Sequence, residues 1–320
     1  MSNPPSTGGN AGLGSRRLEI PPTSVLWTRR LNVLRKLWIL AVSALSAAVM
    51  ASSPAVSAGN DDVTRFFSAS GPDTAAAFDH GTWTGLLGKY VVAGSDGVNR
   101  VDYRAWQSND HQTLKGYLKA LESADPRQLS RNEKFAYWAN LYNAKTIDIV
   151  LDHYPIDSIR QISIGEGLFG FIKKSVGAGG PWKAKVLKVA GHELSLDDIE
   201  HQVLRPIYKD PRVHYSVNCS SFGCPNLGRE AFNGTHLESQ LDAAAKAYVN
   251  DPRGFTIEGD TIKASSIYQW FQADFGGSVQ GVLDHARKYA NDSLKVKLEG
   301  RTTIDNYFYD WSLNNIKRGS

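Results

Sequence analysis

Only two cysteines, Cys219 and Cys224, occur in 320 residues. That number excludes the disulfide lattice of a small secreted domain and the paired ligand sets of a structural zinc site. Charge of one sign is also missing, since 36 basic residues face 32 acidic ones. No solenoid repeat is visible, and no Gly-Lys-Ser/Thr follows the glycines at 177, 179 and 180, so neither a phosphate loop nor a dinucleotide fingerprint is present. What the chain does have is 42% hydrophobic and 10% aromatic residues. That composition excludes disorder and collagen and is ample for a buried core.

The first 58 residues read as a leader. Arg29, Arg30, Arg35 and Lys36 precede an apolar run from Leu37 to Met50, and Val56-Ser57-Ala58 puts small residues at the −3 and −1 positions of a signal-peptidase site after Ala58. The run falls short of the roughly 20 residues of a membrane span, so a membrane is a partner only if the leader stays uncleaved. No cysteine lies near the cleavage point to carry a lipid. The stretch before Arg29 is long for a signal n-region and reads as a disordered extension or an early start codon. Taking the leader's six basic residues (Arg16, Arg17, Arg29, Arg30, Arg35, Lys36) and one acid (Glu19) from the totals leaves 30 basic and 31 acidic residues. The mature chain, at net −1, has no electrostatic reason to seek nucleic acid. The expected organisation is a leader over 1–58, a flexible mature N-terminus over 59–78, and one α+β domain over 79–320 in a periplasmic or secreted protein.

Within that domain, 79–121 reads as helix, turn and helix, with Ser95-Asp96-Gly97 at the turn. Ser130 and Glu133 fit a capping box that opens a helix running to Leu151, with Pro155 beyond it. Phe135, Trp138, Tyr142 and Ile149 share one face and Tyr137, Leu141, Ala144 and Leu151 another, so this helix is expected to be central and buried. Its Asn140 and Asn143 need partners there, either in adjoining loops or in a site. Residues 185–190 alternate like a strand, turn at Gly191-His192, and lead to a helix capped by Ser195 and ended at Pro206. Val213, Tyr215 and Val217 alternate with His214, Ser216 and Asn218, which predicts a second strand leading into Cys219 and a small antiparallel sheet.

At these residues the chain resembles a known family. Trp138-Ala139-Asn140-Leu141-Tyr142-Asn143-Ala144, Ser195-Leu196-Asp197-Asp198-Ile199-Glu200-His201 with Leu204-Arg205, Asp210-Pro211-Arg212-Val213-His214, and Cys219 with Cys224-Pro225 are similar to the domain of unknown function 547. Ile267-Tyr268-Gln269-Trp270-Phe271 before Asp274-Phe275, and Tyr309-Asp310-Trp311-Ser312-Leu313-Asn314, look like its closing motifs. The resemblance implies exported bacterial relatives and a papain-like or transglutaminase-like cysteine hydrolase.

The chemistry itself turns on the two cysteines. In an oxidising compartment they are either a structural disulfide or a nucleophile with its neighbour. A thiol needs a base. His214 is near, but five extended residues span about 16 Å and face the opposite side. His201 on the preceding helix is the better candidate, with Glu200 as its orienter or as the charge partner of Arg205 or Arg212. Asn140, Asn143, Arg212 and Ser220 would support the site.

The expectation is a thiol hydrolase or acyl transferase of the peptidase or amidase kind, acting on an amide or ester bond in a small peptide or envelope substrate. The alternative is a non-catalytic binding module with a Cys219–Cys224 disulfide. No cofactor pattern is present, and the scattered Asp197, Glu200, His201, His214 and cysteines do not have metal spacing. His192, His236 and His285 read as surface residues, and Tyr268, Trp270, Phe271 and Phe275 as core rather than a sugar platform.

Overall fold

The computed structural model describes residues 57–75, 77–164 and 180–316. The expected leader up to residue 56 and most of the glycine-rich stretch, 165–179, lie outside the described residues. Helix α1 (Ser57–Ser68) is followed by α2 (Gly81–Tyr90), a hairpin of β1 (Val91–Ala93) and β2 (Asn99–Val101), and α3 (Tyr103–Ser123), started by the Asp102 side chain. The segment 59–78, expected to be flexible, thus contains a packed helix: Phe67 is fully buried, and Lys134 Nζ reaches the carbonyls of Phe67, Ser68 and Ala69. A lysine on the last carbonyls of a helix satisfies acceptors that would otherwise be orphaned.

Helix α4 (Arg131–His153) is the centre of the fold. Almost every side chain from Glu133 to Leu151 is buried, including both faces expected from the sequence. Ser130 caps it as expected, but Glu133 does not close the box. Its carboxylate accepts from Gly234 N–H at 2.9 Å instead, tying a distant loop to the helix. Asn140 accepts from Phe232 N–H and donates to Phe232 C=O, while Asn143 donates to Ser216 C=O and accepts from Asn218 N–H, each at about 3 Å. A helix apolar all round must be surrounded, and its few amides become the fixings of what surrounds it.

After α4 come the hairpin of β3 (Leu187–Val189) and β4 (His192–Leu194), then a helical run in three parts: α5 (Leu196–Asp198), a π-helical stretch (Ile199–Leu204) and α6 (Arg205–Tyr208). Ser195 and Asp198 form a reciprocal capping box. Pro206 does not end the run. It sits in the first turn of α6, just after the widened turn in which Arg205 N–H donates to Glu200 C=O, where a missing N–H is tolerated.

Next is α7 (Val213–Ser216), where a strand was expected. All four of its residues are buried, so the apolar alternation does not mark an inside and an outside face, and the Asp210 side chain turns the chain by accepting from Arg212 N–H. The remainder comprises α8 (Leu237–Val249), β5 (Phe255–Glu258), β6 (Thr261–Ser265), α9 (Ser266–Trp270), α10 (Val279–Tyr289), α11 (Asp292–Leu298) and β7 (Asn306–Phe308). Strands β5 and β6 are antiparallel, whereas β7 joins β6 in parallel.

This is an α+β domain, and its described residues from Ser57 onward belong to one compact unit. Two hydrophobic cores lie within it, one around α4 and one around α8 to α10 that includes Tyr268 and Phe275. No described helix is long and apolar enough to cross a membrane.

Replacing Asn143 by alanine strips partners from two buried backbone groups. The expected loss is about 3 kcal/mol, read from the denaturant midpoint, and an unchanged midpoint would contradict the role of this amide.

Candidate functional site

A cavity of about 570 Å³ opens where the two cores meet. Its floor comes from Tyr142 on α4 and from Asp197, Glu200 and His201 on the helical run, and its sides from His214 of α7, the cysteine loop and the rings of Trp182, Trp270, Phe271, Tyr309 and Trp311. The π-helical stretch belongs to this geometry, because it carries Glu200 and His201 side by side on the cavity.

The charged groups hold each other. His214, nearly sealed from solvent, donates from Nε2 to Asp274 Oδ2 at 2.7 Å, and its Nδ1 lies 3.6 Å from Glu200 Oε1. Phe271 stacks on the imidazole at 4.2 Å between ring centres. Burial lowers the basicity of His214, but Asp274 and Glu200 together outweigh it and raise the pKa above its ordinary value. Burial likewise pushes Glu200 up, and its contact with His214 and the charge of Arg205 bring it below the usual carboxylate range. Burial pushes Asp274 up as well, but His214 and Arg205, whose Nε is 2.5 Å away, outweigh it and hold the carboxyl well below its ordinary range. Arg205 also donates from Nη1 to His201 Nδ1 at 3.0 Å. An arginine can only donate, so His201 carries its proton on Nε2, which faces Asp197 Oδ1 at 3.6 Å.

The cysteine loop is fixed from both sides. The backbone from Ser220 to Gly223 runs against the C-terminal segment: Asn314 N–H donates to Ser220 C=O, Phe222 N–H to Ser312 C=O and Gly223 N–H to Asp310 C=O. A side chain on Gly223 would come within 2.8 Å of Asp310 N, so only glycine fits that approach. Cys219 and Cys224 form a disulfide with Cα atoms 6.4 Å apart. Tyr309 Oη lies 3.1 Å from Cys219 Sγ and 3.0 Å from Cys224 Sγ, and Cys219 N–H donates to Cys224 Sγ at 3.0 Å.

The fold therefore brings Cys219, His201, Glu200 and His214 to one cavity, though without a hydrogen bond from Cys219 to either imidazole among the described residues. The helical turn of α7 replaces the extended span that argued against His214. Glu200 pairs with His214 rather than with Arg212, which is absorbed elsewhere by Asp210, Glu238 and Asp242. Asn140 and Asn143 act from beneath as loop fixings. Ser220 is buried at a left-handed φ of 62° and does not line the cavity.

Asp274, Phe271, Tyr309 and Trp311 complete the site. Their signal was their place in the closing motifs. Trp270, 48% exposed, packs on Trp311 and Tyr309 at 5.7 and 5.0 Å and so is not core. His285 is not a surface residue either: it is half-buried, bonded to Tyr215 Oη at 2.8 Å, and burial lowers its pKa to about 4. Away from the cavity His111, Asp148 and Asp152 approach one another as metal ligands might, but Lys115 and Lys145 already sit within 3.0 Å of Asp148 and neutralise it.

Residues 126–249 match the family model described as protein of unknown function, DUF547. The resemblance read in the sequence motifs is thus shown for that span, which holds α4, the helical run, α7 and both cysteines. The closing motifs lie outside the DUF547 span; from them Trp270, Tyr309 and Trp311 line the cavity, and Asp274 holds His214 beside it. Neither the comparison with curated proteins nor that with solved structures returned a match.

The pH dependence of the His214 clamp follows from its raised pKa. Its stabilisation is fully present below the ordinary histidine value near 6.5 and is lost as pH rises through the elevated folded value. Replacing His214 by glutamine is expected to cost about 3 kcal/mol near pH 6 and clearly less at pH 9, as read by thermal unfolding at both pH values. An equal loss at both would contradict a charged His214.

Proposed function

We propose that this chain is an exported binding protein whose cavity takes an amphipathic ligand, such as a small peptide or fragment of the cell envelope. The observation that carries this is the composition of the cavity. Trp270 and its ring neighbours offer an apolar surface, and Asp197, Glu200 and His201 offer polar groups at the floor. Ligand sites have this make-up, an apolar lining with a few fixed polar groups. Each imidazole already has one nitrogen hydrogen-bonded, and the sulfurs are bonded to each other, which supports binding over catalysis in this state. The basic leader followed by an apolar run supports the exported part of the proposal.

An apolar fluorescent probe, anilinonaphthalene sulfonate, tests the cavity. Trp270→Ala is expected to weaken its binding about tenfold without lowering the unfolding temperature, because Trp270 is half-exposed. Unchanged affinity would count against the cavity as the binding site.

A second reading, a cysteine-dependent hydrolase or acyl transferase on an amide or ester bond, is favoured by one observation: Cys219 shares the cavity with His201 and Glu200. In that reading Cys219 attacks after reduction and His201, released from Arg205, takes the proton. Reduced protein should then be alkylated by iodoacetamide at Cys219 faster than the unfolded chain at pH 6.5. Equal or slower labelling sinks the enzyme reading.

A further inference from the structure

We propose that Cys219 and Cys224 form a thiol–disulfide exchange centre whose co-reactant is a low-molecular-weight thiol entering the cavity. The sulfurs are the chain's only pair, and both residues line the cavity rather than a sealed core. They are also unequal. Cys219 is half-buried, whereas Cys224 is 4% exposed, so an incoming thiolate reaches Cys219 and Cys224 is the leaving group.

The surroundings suit that division. Two donors are already in place at the Cys224 sulfur: the backbone N–H of Cys219 and the hydroxyl of Tyr309, each at 3.0 Å. Burial raises the Tyr309 pKa well above its ordinary value, so its hydroxyl keeps its proton to donate. Hydrogen bonds to a thiolate are charge-assisted and strengthen as the charge develops.

In the exchange, a thiolate RS⁻ attacks Cys219 Sγ and forms a mixed disulfide as the bond to Cys224 breaks. The electron pair goes to Cys224 Sγ, where Tyr309 and the Cys219 amide receive it. A second thiolate attacks the R sulfur, releases RSSR and leaves Cys219 as the thiolate. Two thiols are oxidised to one disulfide, the protein disulfide is reduced to a dithiol, and the two protons of the thiols end on the cysteines. Tyr309 therefore acts as a catalytic residue on this centre.

The test uses the oxidised full chain with glutathione, followed by intact mass. Folded protein is expected to be reduced at least about tenfold faster than the same chain held unfolded, and Tyr309→Phe to slow the folded rate by about tenfold. Cys224→Ser, treated with oxidised glutathione, is expected to accumulate glutathione on Cys219. Should Tyr309→Phe fail to fold, the folded-to-unfolded comparison and the Cys224→Ser adduct still decide. Reduction no faster in the folded than in the unfolded chain, an unchanged rate in a folded Tyr309→Phe, or no adduct on Cys219 would each overturn the proposal.

Discussion

A helix that is apolar on nearly every side cannot face water, and α4 imposes that requirement on the whole domain. Everything around it is covering, and its polar side chains face polar groups of the covering elements. Lys134 holds the end of α1, Glu133 and Asn140 hold the loop before α8, and Asn143 holds the turn from α7 into Cys219. The position of the cysteine loop is therefore a consequence of core formation. A buried amide with two backbone partners has one low-energy arrangement, and the loop inherits it.

The two cores share α7 and α8, and a band of charge lies at their junction. Glu200, His214, Asp274 and Arg205 form a chain of alternating sign between the helical run and the segment after α9, with Phe271 stacked on His214. Such a network specifies one docking geometry because every misfit strands a buried charge. The cavity lies beside this network, lined by His214 and Glu200 from it and by the cysteine loop and the C-terminal aromatic segment that pack on one another. Rigid polar contacts below and aromatic rings above are what an adaptable ligand surface requires.

Much of this was legible in the sequence because it rests on local signals. The α4 helix shows itself through Ser130 and continuous apolarity, the Ser195–Asp198 cap through its spacing, and the α+β class through the mixture of helical and strand patterns. The structure departs from the sequence pattern where tertiary burial overrides it. Val213 to Val217 alternate like a strand, yet Asp210 and Pro211 start a helical turn there and all of its residues are buried. Pro206 signals a stop that a π-helical turn absorbs. Asp274 and Trp311 lie 60 and 97 positions from His214 in the chain, and no periodicity links residues so far apart to one site. Only their place in the recurring motifs marked them.

The central claim is that the cavity holds a joined pair of sulfurs, fixed by the loop that α4 anchors. Its most direct measurement is the number of cysteines alkylated when the protein is unfolded with and without reductant after non-reducing purification from an oxidising compartment. The account predicts none alkylated without reductant and two with it. Two alkylated cysteines in the absence of reductant would contradict it.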